Sequence, residues 1–204
     1  MRIRNLKNSD EIINNSIYII KELNKNTFDN NNEIHIEIGM GKGKFILENA
    51  IKNPNINYIG IERFDTIMAK AIKNIEKYDL KNLRLIKCDA LYLKDYIKTK
   101  INKIYLNFSD PWPKERHTKR RLTSDTFLNI YKDLFKTKQN IEIKTDNKSL
   151  FEFSIINLTN NNYKIKEIYL DLHNSNIKDI ITTEYEEKFI KKQNPIYKMI
   201  VEKQ

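Results

Sequence analysis

The feature that most constrains the fold is a cluster of glycines between an apolar run and a helical stretch. All four glycines of the 204-residue chain lie between Gly39 and Gly60, and three of them fall in the loop GMGKG, residues 39–43. Glycine adopts left-handed backbone conformations and lets another group approach the backbone closely. The loop alone is also compatible with a plain tight turn. Its position predicts a strand-loop-helix unit that holds a nucleotide-type ligand.

The rest of the chain repeats this alternation. From residue 33 onwards, short apolar runs alternate with helical periodicity, which is typical of an α/β fold with a mostly parallel, twisted sheet flanked by helices. Strands are predicted at residues 34–39, at runs ending at Glu62, Asp89 and Asp110, at 141–146 and 163–172, and from 195 at or near a sheet edge. Helices are predicted at 12–23, 44–52, 64–75 with a cap at Asp65, 127–135 and 150–158. We therefore predict one domain, residues 33–204, after a lead-in segment, residues 1–32. Outside its predicted helix this segment is expected to be loosely attached, with a turn or mobile loop at 25–32.

Carboxylates accompany the ends of four successive predicted strands, namely Glu37, Glu62, Asp89 and Asp110. Ligands of open α/β sheets bind at these ends, and Glu62 lies about twenty residues past the glycine loop, where an acid that holds ribose hydroxyls is expected. The dinucleotide fingerprint requires a glycine where this chain has Lys44, and a Walker loop requires a longer spacing, so NAD, FAD and nucleoside triphosphates are disfavoured. Acidic surroundings favour a cationic ligand, such as the sulfonium and amino groups of S-adenosylmethionine.

A second unusual stretch runs from Asn107 to Arg121. Its first part, the acidic turn of residues 107–113, contains Asp110 and the chain's one tryptophan, Trp112, which lies between two prolines that stiffen the backbone. Its second part, the basic loop of residues 114–121, is rich in lysine and arginine, although the chain has few arginines. This combination predicts a rigid acidic pocket beside a binding site for a polyanion.

Composition supports an anionic partner. The chain has 37 Lys and Arg residues against 27 Asp and Glu, a formal net charge of +10, which favours nucleic acid or a membrane surface. The single cysteine, Cys88, excludes an internal disulfide and offers no metal-ligand spacing. No run approaches the length of a membrane span, and the N-terminus lacks the apolar core of a signal peptide. We expect a cytoplasmic protein that uses no metal and no membrane.

The segments IHIEIGMGKGKFI, NYIGIERF, YLNFSDPWPKERHTKRRLT, IEIKTDN, DLHNSN and TEYEEKF extend from Ile34 almost to the C-terminus. Together they resemble the bacterial tRNA (guanine-N7-)-methyltransferases. The resemblance implies a single-domain, Rossmann-like class I methyltransferase fold, with S-adenosylmethionine as methyl donor and tRNA as partner. It further implies methylation of guanine N7 in the tRNA variable loop, at position 46 by that resemblance. Whether the protein is a monomer or a homodimer stays open.

The resemblance also implies roles for individual residues. Donor-binding positions are the four strand-end acids, together with the glycine loop identified above: Glu37, Gly39, Gly41, Gly43, Glu62, Asp89 and Asp110. Asp110 also matches the position called catalytic in the family. Substrate-binding positions are Lys114, Asp146, Thr183, Glu184, Tyr185 and Glu186, and RNA-contacting positions are Arg116, His117, Lys119, Arg120 and Arg121. Without the resemblance, the TEYE run at residues 183–186 is a helix start or charged surface.

Chemistry limits what Asp110 has to do. Guanine N7 carries an in-plane lone pair, so no general base is needed, and we predict that Asp110 orients the purine and offsets its developing charge. Trp112 stacks on a ligand or packs in the core, His117 binds phosphate, and His35 and His173 are structural. Two alternatives remain: another S-adenosylmethionine-dependent RNA methyltransferase, and a non-catalytic RNA-binding module on the same fold.

Overall fold

A computed structural model describes residues 6–190 and 194–204, which divide into two compact units, Met1–Ile101 and Asn102–Gln204. The helices and strands up to residue 101 are α1 (Ser9–Asn15), β1 (Glu33–Ile38), α2 (Lys44–Lys52), β2 (Ile56–Glu62), α3 (Asp65–Ile75), β3 (Leu83–Lys87) and α4 (Leu93–Tyr96). From there on they are β4 (Ile101–Asn107), α5 (Asp125–Tyr131), β5 (Phe135–Thr145), α6 (Lys148–Asn160), β6 (Lys164–Tyr169), α7 (Glu184–Ile190) and β7 (Tyr197–Lys203). Across the described residues, the structure has no helix with the length and apolarity that crossing a membrane requires.

The first unit is built on three parallel strands in the order β3-β2-β1. Gly60 lies in the middle strand and pairs with Glu37 on one side and Leu85 on the other. A side chain at Gly60 would collide with Met40 and Leu85. The fourth glycine is therefore explained by packing, because it lets Met40 of the glycine loop lie against β2.

The lead-in segment differs from its prediction. The helix predicted at residues 12–23 ends at Asn15, and the chain then runs extended beside the first unit's strands, where Ile20 N donates to Leu85 O at 3.0 Å and Leu23 N to Tyr96 O at 2.7 Å. Tyr18 and Leu23 are buried. These residues are packed against the unit without being helical, so the prediction of a helix was wrong for residues 16–23; residues 1–5 lie outside the described part of the chain.

Two further expectations about helices need correction. Asp65 does not cap α3; its carboxylate forms an ion pair with Lys87 of β3. The helix predicted at residues 127–135 ends at Tyr131, and Phe135 begins β5. The second error arises because apolar spacing was read without the tertiary contacts that end a helix.

The second unit has strands in the order β4-β5-β7-β6, and β7 is antiparallel to both β5 and β6. The final strand therefore lies one position in from β6, near an edge as predicted. These two antiparallel pairs make the strand arrangement mixed in this half of the chain.

Buried charges lie along one face of β5. Glu142 accepts from Lys103 Nζ at 2.7 Å through Oε2, and Lys198 Nζ lies 3.0 Å from its Oε1. Burial opposes ionisation of Glu142, but the two ammonium groups outweigh it and hold the pKa of this carboxyl below its ordinary value. The same face carries Lys144, two residues further along the strand, since side chains alternate along a strand.

The packing of the lead-in segment is testable at Tyr18. Its hydroxyl donates to Tyr78 O and accepts from Leu80 N at 3.0 Å. Tyr18→Phe should lower the free energy of unfolding by about 1 kcal/mol, because two backbone groups lose their partner. Urea denaturation measures the change. Ile17→Ala is the matched control, since Ile17 is 77% exposed and its loss should leave stability unchanged; equal stability of Tyr18→Phe and wild type would contradict the packing.

Candidate active site

The glycine loop joins β1 to α2 through three residues with positive φ. Gly39, Gly41 and Gly43 have φ angles of 76°, 60° and 80°, which side chains rarely tolerate. A Cβ at Gly43 would also press on Ile75 and Ala71 of α3, whereas at Gly39 and Gly41 no atom lies within 4 Å of that position. The loop is thus a tight turn whose backbone is open beside its first two glycines.

Glu62 connects this loop to the end of β2. Its Oε2 accepts from Gly41 N at 3.2 Å, and its Oε1 accepts from Arg63 N at 2.9 Å and Phe64 N at 3.0 Å. Burial raises the pKa of Glu62 above its ordinary value, although these hydrogen bonds and Arg63 oppose the shift. Each carboxylate oxygen has two lone pairs, so acceptor capacity is left for a ligand's hydroxyl groups.

Asp89 and Glu37 complete the acidic positions of the first unit. Asp89 follows β3; its Oδ1 accepts from Leu91 N at 3.0 Å and its Oδ2 pairs with Arg63 Nη1 at 3.1 Å. Arg63 therefore links Asp89 to Glu62, whose carboxylate it also contacts through its backbone. Glu37 is buried near the end of β1. The structure thus joins the glycine loop, Glu62 and Asp89 into one network, in which sequence reasoning missed Arg63.

In the second unit, the acidic turn is a strained segment. Phe108 and Trp112 have φ angles of 50° and 42°, an uncommon conformation for large side chains that is concentrated at functional sites. Phe108 N donates to Lys144 O at 2.8 Å, which ties the turn to β5. Asp110, between the two strained residues, is exposed. The acid predicted to face the guanine is therefore held on a stiff backbone and open to solvent.

Arg121 braces this turn from the basic loop. Its Nε donates to Pro111 O and its Nη2 to Trp112 O, both at 3.1 Å, and its guanidinium lies 4.4 Å from the centre of the Phe153 ring. Arg121 was predicted to contact RNA along with its neighbours. Its hydrogen bonds hold the backbone on either side of Trp112.

The Trp112 ring packs against two residues of the basic loop. The ring meets His117 edge-on at 5.6 Å between centroids, and the Arg120 guanidinium lies 4.9 Å above it. The indole is half-buried, so neither a core position nor a fully open stacking surface describes it. The remaining cations of the basic loop are solvent-exposed: Lys114, Arg116, Lys119 and Arg120.

The TEYE run starts α7, as its sequence alone suggested. Thr183 Oγ1 accepts from Glu186 N at 2.9 Å and Glu186 Oε2 accepts from Thr183 N at 3.1 Å, a reciprocal capping box. Glu186 is fully buried, whereas Tyr185 is 47% exposed. Burial and the hydrogen-bonded Asp146 carboxylate raise the pKa of Tyr185. Asp146 and Tyr185 are thus brought together, and Glu184 lies half-exposed beside them at the start of the helix.

No cluster of three or more His, Cys, Asp or Glu side chains in the described ranges is arranged to hold a metal ion. The candidate residues lie instead as hydrogen-bonding and charged groups in two places. The glycine loop with Glu62 and Asp89 belongs to the first unit. The acidic turn, the basic loop and the Asp146–Tyr185 pair belong to the second.

Comparison with known proteins identifies the family. A family model described as a putative methyltransferase matches residues 31–199. A tRNA (guanine-N(7)-)-methyltransferase from Alkaliphilus oremlandii (strain OhILAs) is 47% identical over 207 residues, covering 98% of each protein. The protein of that name from Listeria monocytogenes serovar 1/2a is 52% identical over 173 residues, covering 84% of this chain and 81% of the relative. This chain belongs to the tRNA (guanine-N7-)-methyltransferase family. It is a methyltransferase enzyme, as the resemblance predicted.

Solved structures show that this methyltransferase has the expected fold. The structure of an antibiotic-related methyltransferase matches with a TM-score of 0.64 at 22% identity, over 99% of this chain and 96% of the other. A putative methyltransferase from Streptococcus mutans in complex with SAH matches with a TM-score of 0.55 at 14% identity, over 100% of both chains. The prediction of a Rossmann-like class I methyltransferase fold is confirmed.

The network around Glu62 predicts a pH-dependent donor site in the methyltransferase. Affinity for S-adenosylhomocysteine should fall as the pH is lowered through the pKa of Glu62, because a protonated carboxyl loses acceptor capacity for ribose hydroxyls. Burial raises this pKa, so the loss should begin at a higher pH than for an exposed glutamate. Calorimetric titration from neutral to mildly acidic pH measures it. Glu62→Gln should bind S-adenosylhomocysteine weakly at every pH. A wild-type affinity that does not change with pH in this range would contradict the assignment of Glu62 to ligand binding.

The brace at Arg121 is testable through the single tryptophan. Arg121→Ala should shift the emission maximum of Trp112 to longer wavelength, because two hydrogen bonds that hold the strained backbone are lost and the indole becomes more exposed. Arg116→Ala is the matched control: it removes an exposed arginine from the same loop and should leave the emission unchanged. Identical spectra for the two variants would show that Arg121 does not brace the turn.

Proposed function

We propose that this enzyme transfers the methyl group of S-adenosylmethionine to N7 of a guanine in the variable loop of tRNA, forming N7-methylguanosine. The single observation that carries the proposal is near-full-length similarity, at 47% identity, to a relative named as a tRNA (guanine-N(7)-)-methyltransferase. The chemical groups present in each of the two candidate sites support it. We further propose that the enzyme works in the cytoplasm, where tRNA is found in bacteria.

The first unit provides suitable groups for the donor. Space is open beside Gly39 and Gly41, where a ligand can approach the backbone, and Glu62 reaches the same loop through Gly41 N. Glu62 accepts hydrogen bonds from ribose hydroxyls in this proposal, and Asp89, half-exposed next to it in the network, accepts from an amino group. When bound there, S-adenosylmethionine supplies an electrophilic methyl group on a positively charged sulfur. Acidic residues suit that charge better than they suit a phosphate.

The second unit provides groups for the guanine. Asp110 is exposed on a stiff turn, and its carboxylate can accept from guanine N1–H and N2–H₂. The guanine N7 lone pair would form the new bond to the methyl carbon as the carbon–sulfur bond breaks and S-adenosylhomocysteine leaves. No proton has to be removed, and the positive charge passes from the sulfur to the purine ring. A fixed carboxylate stabilises that charge as it develops. Asp110 therefore orients and stabilises the purine, and it does not act as a general base.

The basic loop provides the RNA contacts. Lys114, Arg116, Lys119 and Arg120 are exposed, so their charges can meet backbone phosphates without first breaking a buried pair. Such contacts give affinity that is independent of base sequence and sensitive to salt. In this arrangement Arg121 contributes indirectly, because it holds the turn from which the loop extends.

One assay tests the function. The protein is incubated with unmodified tRNA and methyl-labelled S-adenosylmethionine, and the labelled nucleotide is mapped. We expect one N7-methylguanosine in the variable loop. Label on another base would favour a different RNA methyltransferase, and tRNA binding without label would favour a non-catalytic RNA-binding module; either result overturns the proposal.

Asp110→Asn serves as the matched variant in the same assay. It keeps the shape of the side chain and removes its charge, so it should lower kcat by about 10- to 1,000-fold. S-adenosylhomocysteine binding by calorimetry shows whether the donor site remains intact. Near-normal turnover of Asp110→Asn would mean that the charge of this carboxylate is not used.

A further inference from the structure

The second unit contains a buried ion pair that the proposed function does not use. Lys144 Nζ lies 2.6 Å from Glu186 Oε2, and the two side chains are 2% and 0% exposed. Lys144 Nζ also donates to Ile181 O at 2.9 Å, and His173 Nε2 lies 2.9 Å from Glu186 Oε1. Both oxygens of Glu186 are therefore engaged inside the protein, which leaves this carboxylate unable to reach a substrate while the pair is intact.

The groups held by this pair are those expected to meet the guanine. Glu186 is locked to Thr183 in both directions by the capping box. Tyr185, between them, is 47% exposed, lies 5.2 Å from the Phe108 ring and is hydrogen-bonded to Asp146. The orientation of Thr183 and Tyr185 thus depends on where the Glu186 carboxylate is held.

Lys144 also connects this helix start to the acidic turn. Its carbonyl accepts from Phe108 N at 2.8 Å, while its ammonium group holds Ile181 O and Glu186. Asp146 lies two residues further along the chain. One residue of β5 therefore fixes the acidic turn through its backbone and the TEYE run through its side chain.

Stability alone does not explain such a pair. Desolvating two charges costs free energy that their attraction and hydrogen bonds only partly return, and apolar residues of similar volume often stabilise a protein as well or better. What an ion pair with several hydrogen bonds adds is a defined direction for each partner. That property matters most where side chains must be placed accurately for a reaction.

We propose that Lys144 and His173 are positioning residues for the guanine: they hold the Glu186 carboxylate, which fixes Thr183 and Tyr185 towards the substrate. The inference rests on the proposed function, since it assigns a task within the same reaction. It replaces the interpretation of His173 as merely structural. It also gives Glu186 an indirect role, because its carboxylate acts on Thr183 and does not contact the purine.

His173 gives the sharper test because its side chain is only partly buried, at 23% exposure. His173→Ala should lower kcat by about 10- to 100-fold, since small misplacements of substrate-orienting groups have effects of this size. The KM for tRNA and the affinity for S-adenosylhomocysteine should stay within about twofold of wild type. His173→Gln can place an amide N–H near the position of the imidazole Nε2, and it should recover most of kcat.

Lys144→Met tests the other partner, with Lys103→Met as its matched control. Lys103 also pairs with a buried glutamate on the same face of β5, but that glutamate is Glu142, whose ion pairs are with Lys103 and Lys198. Lys144→Met should lower kcat at least as much as His173→Ala, whereas Lys103→Met should keep the wild-type kcat. Circular dichroism establishes which variants are folded at the assay temperature. If Lys144→Met is unfolded, the His173 pair decides the question.

The outcomes separate the inference from the function on which it rests. Wild-type protein that methylates no tRNA guanine would overturn the proposed function. Wild-type activity with an unchanged kcat for folded His173→Ala would overturn only the positioning role. A kcat loss that His173→Gln does not recover, or an equal loss in Lys103→Met, would also overturn it, because it would show general destabilisation and not the placement of Glu186.

Discussion

A buried carboxylate needs hydrogen-bond donors or cations in place of water, and this requirement shapes both units of the protein. Moving a carboxylate out of water costs more free energy than folding can spare unless N–H groups or cations replace the lost water. Glu62 meets the requirement with three backbone N–H groups, one of them from the glycine loop. Glu186 meets it with Lys144, His173 and Thr183 N. In each case the groups that satisfy the charge are also held in place by it.

The carboxylates of Glu62 and Glu186 differ in how much hydrogen-bond acceptor capacity they leave for a ligand. Glu62 accepts from three backbone N–H groups, two at Oε1 and one at Oε2, so Oε2 keeps acceptor capacity that suits a ligand with hydroxyl groups. Glu186 is completely enclosed and has a full ammonium partner. An acid of the first kind suits direct ligand binding, whereas an acid of the second kind suits the orientation of its neighbours. The family resemblance assigns both Glu62 and Glu186 to ligand binding. Only the surroundings of each carboxylate distinguish an acid that suits direct binding from one that suits the orientation of its neighbours.

Two adjacent arginines of the basic loop also differ in the contacts that they make. Arg120 and Arg121 are adjacent in sequence and were expected to serve RNA equally. Arg121 turns towards the carbonyls of Pro111 and Trp112, while Arg120 remains exposed above the indole. The planar guanidinium has several N–H groups in a fixed geometry, so it bridges the two successive carbonyls in a defined orientation. The rigidity that the prolines suggested therefore also depends on a side chain from the basic loop.

The order of strands and helices, the glycine loop and the acids at strand ends could be predicted from the sequence, because they depend on local periodicity and on residue types with restricted conformations. Thus α2 was predicted at its observed bounds, and β2 ends at Glu62 as expected. The extended path of residues 16–23, the end of α5 at Tyr131 and the partners of Asp65 could not, since contacts between distant parts of the chain override local preference. The roles of Arg63, Lys144 and His173 could not be predicted either. The sequence shows which side chains can carry charge, but the partner and the burial of each one are decided only by the tertiary structure, which brings strands, loops and helix starts together.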